Sequence, residues 1–214
     1  MGKAARYTAR MRRRGTRLKR LGTAGLAIAG LLGLWLAWPS AREVVEVVIA
    51  PTPVGDGSPI ASTDADPDAA LLPQLAVRLD LPASVLRGRR ERLRLSIASE
   101  AANTPLTLAA GVVSADLDLT PPGESGQAFQ PGAAFEWTVV AGGGREASAT
   151  IVLRVRRYAP DGSVVAERLL LARDILFPVR TVAGLPAPVA AWVAASLALA
   201  GALALLFARG SQKG

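Results

Sequence analysis

The sequence contains no cysteine and no histidine, and aromatic residues make up only 5% of its 214 residues. Without cysteine the chain can form neither a disulfide framework nor a thiolate metal site. Without histidine it can build neither a Ser-His-Asp triad nor an imidazole-ligated haem. We therefore expect a protein that is not an enzyme and that binds no metal, no cofactor and no small-molecule substrate.

Acidic residues are missing from both ends of the chain, although the protein as a whole carries a net charge of +8. Residues 1–21 hold nine basic residues, and the residues after Phe207 add Arg209 and Lys213. The remainder has 14 arginines against all 17 acidic residues, so its net charge is −3. The basic character therefore belongs to the two ends and not to the middle of the chain.

Each basic end adjoins a long run that lacks any charged side chain. These runs cover residues 21–38 and 185–207. A helix rises about 1.5 Å per residue, so each run can cross most or all of a hydrocarbon core of about 30 Å. A charged side chain at mid-membrane costs about 2.5–3.5 kcal/mol on insertion scales, which accounts for its absence here. We therefore predict two transmembrane helices.

The basic ends also predict an orientation, because Lys and Arg beside a span stay on the cytoplasmic side. Tails 1–20 and 208–214 are predicted to be cytoplasmic, in the cell (inner) membrane, with the central region extracytoplasmic. A cleaved signal peptide is the alternative for the first run, but Pro39 would stand third before a cut after Ala41, where a small residue is preferred. The predicted membrane-interface residues are Trp35, Trp38, Trp192, Arg17, Lys19, Arg20 and Arg209.

Small residues recur at every fourth position in both predicted spans, so they line one face of each helix. Such faces let helix backbones approach closely. We predict that they pack against each other or against helices of a larger complex, although an Ala- and Gly-rich composition also produces such ladders by chance. The predicted helix-packing residues are Gly25, Ala29, Gly33, Ala190, Ala194, Ala198 and Ala202.

Residues 39–73 combine a β-branched segment with a linker. The valines of residues 42–49 favour a strand over a helical extension of the first span. Residues 50–73 hold five prolines, four aspartates and no basic residue, a composition that disfavours an ordered core. The alternate aspartates at 64, 66 and 68 open like a calcium loop, but the later Gly and Glu of such a loop are replaced by Ala69 and Leu75. A solvated acidic linker is therefore favoured.

Apolar and polar residues alternate from Leu75 onwards, which is typical of antiparallel strands with one face in water. Residues 142–144 and 160–162 each stand between two alternating segments and are typical of hairpin turns, since glycine readily adopts a positive φ. The alternating segments are 75–81, 92–97, 113–119, 135–139 and 149–156.

The predicted fold is therefore mainly β, with an antiparallel β-sandwich over residues 74–180 between an N-terminal and a C-terminal membrane span. About seven strands in a domain of about 100 residues suit an immunoglobulin-like architecture. The cysteine pair usual in that fold is absent, so the likeness is one of architecture, and another sandwich or a barrel stays open. Trp137 is the candidate for the central core aromatic.

A dense group of arginines lies on a predicted turn and strand. As a docking patch it would bind lipid headgroups or an acidic partner subunit. As part of a solvated strand face it would instead pair with Asp80, Asp116 or Asp118 across the sheet. The residues of this candidate patch are Arg87, Arg89, Arg90, Arg92 and Arg94.

These predictions favour a non-catalytic accessory or scaffold subunit of a larger membrane protein complex. The helices would pack at its periphery and the β-sandwich would brace its extracytoplasmic face. The alternative is a free-standing, membrane-anchored binding or sensor module for a peptide, glycan or protein. The expected partners are other membrane subunits and anionic lipid headgroups, without nucleic acid, because the anchor already explains the basic tail. Transport is not expected, because the spans hold no ionisable residue.

Overall fold

The computed structural model describes residues 2–50, 52–54, 70–99 and 106–210. It is mostly β, with two five-stranded sheets, one two-stranded sheet and a long apolar helix towards each end. The chain divides into two units, a helix pair (Met1–Pro39 with Thr181–Gly214) and a β domain (Ser40–Arg180). The prediction of a mainly β protein between two long apolar helices is therefore confirmed.

The helices are α1 (Gly2–Ala37) and α2 (Ala187–Gly210). The strands are β1 (Arg42–Ile49), β2 (Thr52–Val54), β3 (Ala70–Leu72), β4 (Leu75–Pro82), β5 (Val85–Leu86), β6 (Arg90–Ser99), β7 (Thr107–Val113), β8 (Leu117–Thr120), β9 (Glu124–Ala128), β10 (Ala134–Ala141), β11 (Glu146–Tyr158) and β12 (Val164–Arg180).

Both helices end or begin where the local sequence requires it. Pro39 disfavours helical backbone at the residue before it, and α1 ends accordingly at Ala37. The turn before α2 has a positive φ at both Ala183 and Gly184, closed by reciprocal hydrogen bonds between Val182 and Leu185. Two helical segments are long and apolar enough to cross a membrane, namely Thr16–Ala37 and Ala187–Arg209. Only 11% and 17% of their most apolar stretches are buried within the protein.

Sheet I has the strand order β1-β4-β6-β10-β8. Alternate side chains of β4, β6 and β10 are buried, as the period of two predicts. Residues 42–49 form the edge strand β1, which pairs with β4 from Arg42–Pro82 to Ile49–Leu75. The β-branched residues of this segment thus form a strand and not an extension of α1.

Sheet II has the strand order β5-β12-β11-β7-β9, in which β5 runs parallel to the end of β12. The predicted hairpin at residues 160–162 is confirmed, because β11 pairs with β12 from Tyr158–Val164 onwards. Gly162 supplies a φ of 85°, and Asp161 accepts hydrogen bonds from the backbone and hydroxyl of Ser163. Local turn chemistry therefore suffices to specify this hairpin.

The predicted hairpin at residues 142–144 is wrong. β10 lies in sheet I and β11 in sheet II, so the glycines connect the two sheets. Ala147 pairs with Phe177 of β12, while Ala141 pairs with Leu117 of β8. A short glycine loop suits either connection, because the alternation of side chains reports which face is buried but not which strand is the partner.

The single strand predicted over residues 113–119 is also wrong. The Ser114 hydroxyl accepts hydrogen bonds from the amides of Asp116 and Leu117 and donates one to the carbonyl of Ser148 at 2.6 Å. These bonds form a turn in place of a strand ladder, a role that serine side chains readily take. The turn carries the chain from β7 in sheet II to β8 in sheet I.

The hydrophobic core of the β domain draws on the buried faces of both sheets. Trp137 of β10 is 1% exposed and stacks on Phe135 with ring centroids 6.1 Å apart, so its predicted place in the core is confirmed. Phe129 and Phe177 are the other large aromatic side chains in it. The remaining buried positions are mainly Leu, Val, Ile and Ala, as the low aromatic content implies.

Candidate functional sites in the helix pair and on the two sheets

The two helices approach each other closely at glycines. A Cβ atom at Gly22 would lie 2.9 Å from the carbonyl oxygen of Gly201, and one at Gly201 would lie 2.8 Å from the carbonyl oxygen of Gly22. Gly25 lies against Leu197, and Gly22 against Leu205, so contacts move backwards along α2 as they advance along α1. The helices are therefore antiparallel, with backbones close enough that these positions exclude larger side chains.

The predicted small-residue ladders contribute only in part to this contact. In α1, Gly25 and Ala29 lie on the contact face, while Gly33 has open space where a Cβ would lie. In α2, Ala190 and Ala194 are buried, Ala198 is half-buried and Ala202 is exposed. The contacting glycines at positions 22 and 201 belong to neither predicted ladder.

The helical period explains why each four-residue ladder lies only partly on the contact face. A step of four residues turns about 400° around the axis at 3.6 residues per turn, so a four-residue ladder drifts away from any fixed face. The buried positions of α2 are instead 3, 4, 7 and 7 residues apart, which fits the 3.5-residue period of a coiled-coil seam. They are Ala187, Ala190, Ala194, Gly201 and Ala208. A search with that period would have found Gly201.

Antiparallel packing separates the predicted interface residues into two groups. Arg17, Lys19, Arg20 and Arg209 lie towards the end of the pair formed by the start of the apolar part of α1 and the end of α2. The tryptophans at 35, 38 and 192 lie towards the other end, and they are 54%, 66% and 76% exposed. One end of the helix pair is thus basic and the other aromatic.

The candidate arginine patch is divided in the structure. Arg92 and Arg94 extend from the exposed face of β6 towards Glu136 of β10, at 3.9 and 3.7 Å. Arg87 and Arg89 belong to the turn before β6, where the Arg87 guanidinium donates to the carbonyl of Gly142 at 3.0 Å. The strand arginines therefore face Glu136 on the surface of sheet I, whereas the turn arginines lie at the end of the domain where β6 begins.

Glu91 is the one buried acidic residue among the described side chains, at 8% exposure. Its carboxylate accepts a hydrogen bond from the Ser40 hydroxyl at 2.7 Å and lies 3.3 Å from the guanidinium of Arg89. A buried carboxylate without such partners would be strongly destabilising. These contacts attach the first residue of the β domain to the start of β6.

Asp80 pairs with Arg42 rather than with the arginine patch, at 2.8 Å. The Arg42 side-chain hydrogen bond, with smaller effects of nearby arginines including Arg94, holds the pKa of Asp80 below its usual value. Arg42 also donates to the carbonyl of Arg92 at 2.9 Å. The exposed face of sheet I thus interleaves cations with carboxylates, and it is not a uniformly basic surface.

Sheet II carries a second charged cluster, formed by Arg154, Arg156, Glu124 and Glu167. Glu167 accepts from Arg154 at 2.8 Å and from Arg156 at 3.2 Å, and Glu124 accepts from Arg156 at 2.7 Å. These bonds, led by the one between Arg156 and Glu167, raise the pKa of Arg156 and lower that of Glu167. The cluster therefore links β11 to its neighbour β12 and, across β7, to the edge strand β9.

Asp116 and Asp118 lie beside an open depression of about 290 Å³ that residues 142–144 and Glu146 also line. Asp116 accepts hydrogen bonds from the amide and the hydroxyl of Ser148, and these bonds lower its pKa. Within the described residues no group of three or more acidic side chains is arranged to hold a metal ion. The alternate aspartates at 64, 66 and 68 lie outside the described residues.

No protein-family model matches the chain, and no curated protein does. Among solved structures, the S-layer protein SbsC is similar at 12% sequence identity and a TM-score of 0.25. The match with its domains 4 and 5 covers 58% of this chain and 80% of that structure. The match with its fragment 31–844 covers 67% of this chain and 20% of the other. A likeness of this degree assigns neither a family nor a function.

Proposed function

We propose that this chain is a two-span membrane protein with an extracytoplasmic β-sandwich, and that it serves as a non-catalytic accessory subunit of a larger membrane complex. The helix pair would pack at the periphery of that complex. The β domain would brace its outer face.

The apolar surface of the helix pair is the observation that carries this proposal. Two packed helices bury one narrow seam, so most large apolar side chains of the pair remain exposed, among them Leu31, Leu34, Leu199 and Phe207. Water disfavours such a surface by roughly 25 cal/mol per Å². Lipid, partner helices or both would cover it. Gly30 and Gly33 leave open space on α1 that a further helix backbone would fit.

The polarity of the pair supports the orientation with both termini in the cytoplasm. Its basic end would lie at the cytoplasmic surface, as the positive-inside rule requires, and its aromatic end at the opposite interface. The β domain follows directly after the aromatic end of α1 and precedes α2. It would therefore be extracytoplasmic.

Strand order supports the immunoglobulin-like part of the proposal. The order β4-β6-β10-β8 corresponds to strands A-B-E-D, and β12-β11-β7 corresponds to G-F-C. The two five-stranded sheets contain three additional strands, namely β1, β5 and β9, and β2 and β3 form a separate two-stranded sheet. The core tryptophan lies on β10, the equivalent of strand E, whereas immunoglobulin domains carry it on strand C.

Site-specific photocrosslinking in native membranes tests the accessory role. A photoreactive amino acid at Leu31 or Leu34, which are 68% and 60% exposed, should yield an adduct with another protein. The matched control is Ala29, which is 7% exposed in the helix seam and should give no intermolecular adduct. Native gels of gently solubilised membranes should show the chain in the same assembly.

If every exposed helix position gave lipid adducts only and the protein migrated as a free monomer, the accessory role would be refuted. The free-standing binding module would then be preferred. The edge strand β1 favours that second candidate, because among the described residues it pairs only with β4 and leaves one backbone edge open. An extended peptide can extend a sheet at such an edge.

A further inference from the structure

The chain enters and leaves the β domain at one end of its sheets. The amide of Ala83 donates a hydrogen bond to the carbonyl of Ala41 at 2.8 Å. The amide of Arg87 donates one to the carbonyl of Arg180 at 2.9 Å. The strand β5 between these residues runs parallel to the last two residues of β12. Residues 83–91 therefore contact both the entering and the leaving chain, and the Ser40–Glu91 hydrogen bond adds a further contact. We refer to these contacts together as the chain attachment.

Arginines are concentrated around this attachment. Arg90 begins β6, Arg180 ends β12, and the carbonyl of Arg145 accepts from the amide of Val179 at 2.8 Å. All three side chains are exposed. Within the described part of the chain none of them has a carboxylate within 4.0 Å, in contrast to Arg92 and Arg94. We refer to Arg90, Arg145 and Arg180 as the entry arginines.

Short covalent connections join this end of the domain to the two apolar helices. Two residues separate Ala37 from Ser40, and six separate Arg180 from Ala187. Fully extended residues span at most about 3.6 Å each, so these connections reach roughly 10 Å and 25 Å. The attraction of a basic residue to a charged membrane surface falls off within a Debye length of about 8 Å. The entry arginines thus lie at the end of the domain to which these two short connections are joined.

We propose that the entry arginines bind the phosphate groups of anionic lipid headgroups in the leaflet that faces the β domain. The planar guanidinium suits this ligand, because it donates two parallel hydrogen bonds to phosphate oxygens. The inference rests on the membrane spans of the proposed function. It narrows the predicted docking patch to Arg90 and adds two arginines that are distant from it in the sequence.

Quenching by a headgroup-labelled lipid tests the proposal on the full chain. The protein has no cysteine, so Ala83→Cys gives a single fluorophore site on an exposed residue beside the attachment. Nanodiscs would contain phosphatidylcholine alone, or phosphatidylcholine and phosphatidylglycerol at 7:3, each with a nitroxide-headgroup tracer. We expect quenching to rise about twofold with phosphatidylglycerol and the rise to disappear at high salt.

The variant R90Q/R180Q should lose this rise. The matched control R78Q/R173Q removes the same charge from exposed arginines of β4 and β12 away from the attachment and should retain it. An equal loss in both variants would overturn the assignment to the entry arginines. Far-UV circular dichroism of each variant establishes that the β structure is intact.

Two further outcomes separate this inference from the proposed function. If the protein resists carbonate extraction but phosphatidylglycerol has no effect, the lipid contact is refuted and the membrane spans stand. If carbonate releases the protein, the spans themselves are refuted, and the inference with them. A photocrosslink from Arg180 to an acidic protein, without any effect of phosphatidylglycerol, would assign these arginines to a subunit contact and overturn the lipid proposal.

Discussion

At the scale of the residue, exposed charges in this protein are arranged in pairs and clusters across strands. Glu136 serves two arginines on β6, and the cluster on sheet II joins three strands through two arginines and two glutamates. Beneath that cluster Ala109 is only 1% exposed, although its side chain points away from the core, and the side chain of Glu124 lies over Gly111. The small residues of β7 therefore make room for the long charged side chains above them.

Replacing Glu167 should change both the stability and its pH dependence. Arg156 holds the pKa of Glu167 below its usual value, so Glu167 contributes stability above its unfolded-state pKa and loses this contribution as pH falls through its folded-state pKa. E167Q should lower the free energy of unfolding at pH 7 by about 0.2–1 kcal/mol, the range of exposed pairs. Thermal melts at pH 7 and pH 3 should show a smaller acid-induced loss in E167Q than in the wild type, and E46Q should behave like the wild type.

Truncation of the core tryptophan should be far more damaging. Trp137→Ala removes a fully buried ring that also stacks on Phe135, and such changes cost about 3–5 kcal/mol. Chemical denaturation followed by far-UV circular dichroism measures the loss. Trp38→Ala, at a position 66% exposed, is the control and should leave the β domain unchanged. Equal stability of the two variants would contradict the assigned core.

At the scale of the element, the helices and strands obey their own periods, but their partners come from elsewhere. The contact positions between α1 and α2 fit a period near 3.5 residues. The four-residue ladders therefore turn away from the contact face, at Gly33 in α1 and at Ala202 in α2. The loop at residues 142–144 and the turn at Ser114 both transfer the chain between sheets. Short connections of this kind have no sequence signal that separates them from hairpins or from continuous strands.

The glycine contact of the helix pair predicts a position-specific effect. Gly201→Val would force side-chain atoms into the backbone of α1, where a Cβ alone already lies 2.8 Å from the carbonyl oxygen of Gly22. We expect cross-linking between Ala29→Cys and Ala194→Cys by a short bismaleimide to fall severalfold. Gly30→Val is the matched control, because nothing lies within 4 Å of its Cβ. Unchanged cross-linking in G201V would refute the seam.

At the scale of the whole molecule, the chain combines two units of different physical character. The helix pair exposes apolar side chains, while the β domain encloses its own hydrophobic core. All 14 arginines between the apolar helices belong to the β domain, together with all described acidic residues. The strongly basic ends thus flank a weakly acidic centre, as the distribution of charge in the sequence predicts.

The proposed orientation can be measured by labelling single cysteines in sealed, right-side-out membrane vesicles. Ser163→Cys, in the exposed turn between β11 and β12, should react with a membrane-impermeant maleimide. Lys213→Cys, in the C-terminal tail, should react only after the membrane is permeabilised. The reverse pattern would invert the proposed topology. Labelling of both positions in sealed vesicles would place both on the outer side and refute the second membrane span.

The sequence by itself determined the features that depend on neighbouring residues. The basic ends, the two uncharged runs, the period of two in the β region and the turn at residues 160–162 can all be read locally, because helix length, strand alternation and turn chemistry are short-range properties. The place of Trp137 in the core follows from the same alternation, since it shares a strand face with Phe135 and Val139.

Only the tertiary structure decided which elements meet. It paired Asp80 with Arg42, brought Arg90, Arg145 and Arg180 to the chain attachment, and placed Gly22 against Gly201 between the helices. These contacts join residues from 38 to 179 positions apart, as the numbering shows. No local pattern encodes such distances, because the partner of a strand edge or a helix face is chosen by the packing of the whole domain.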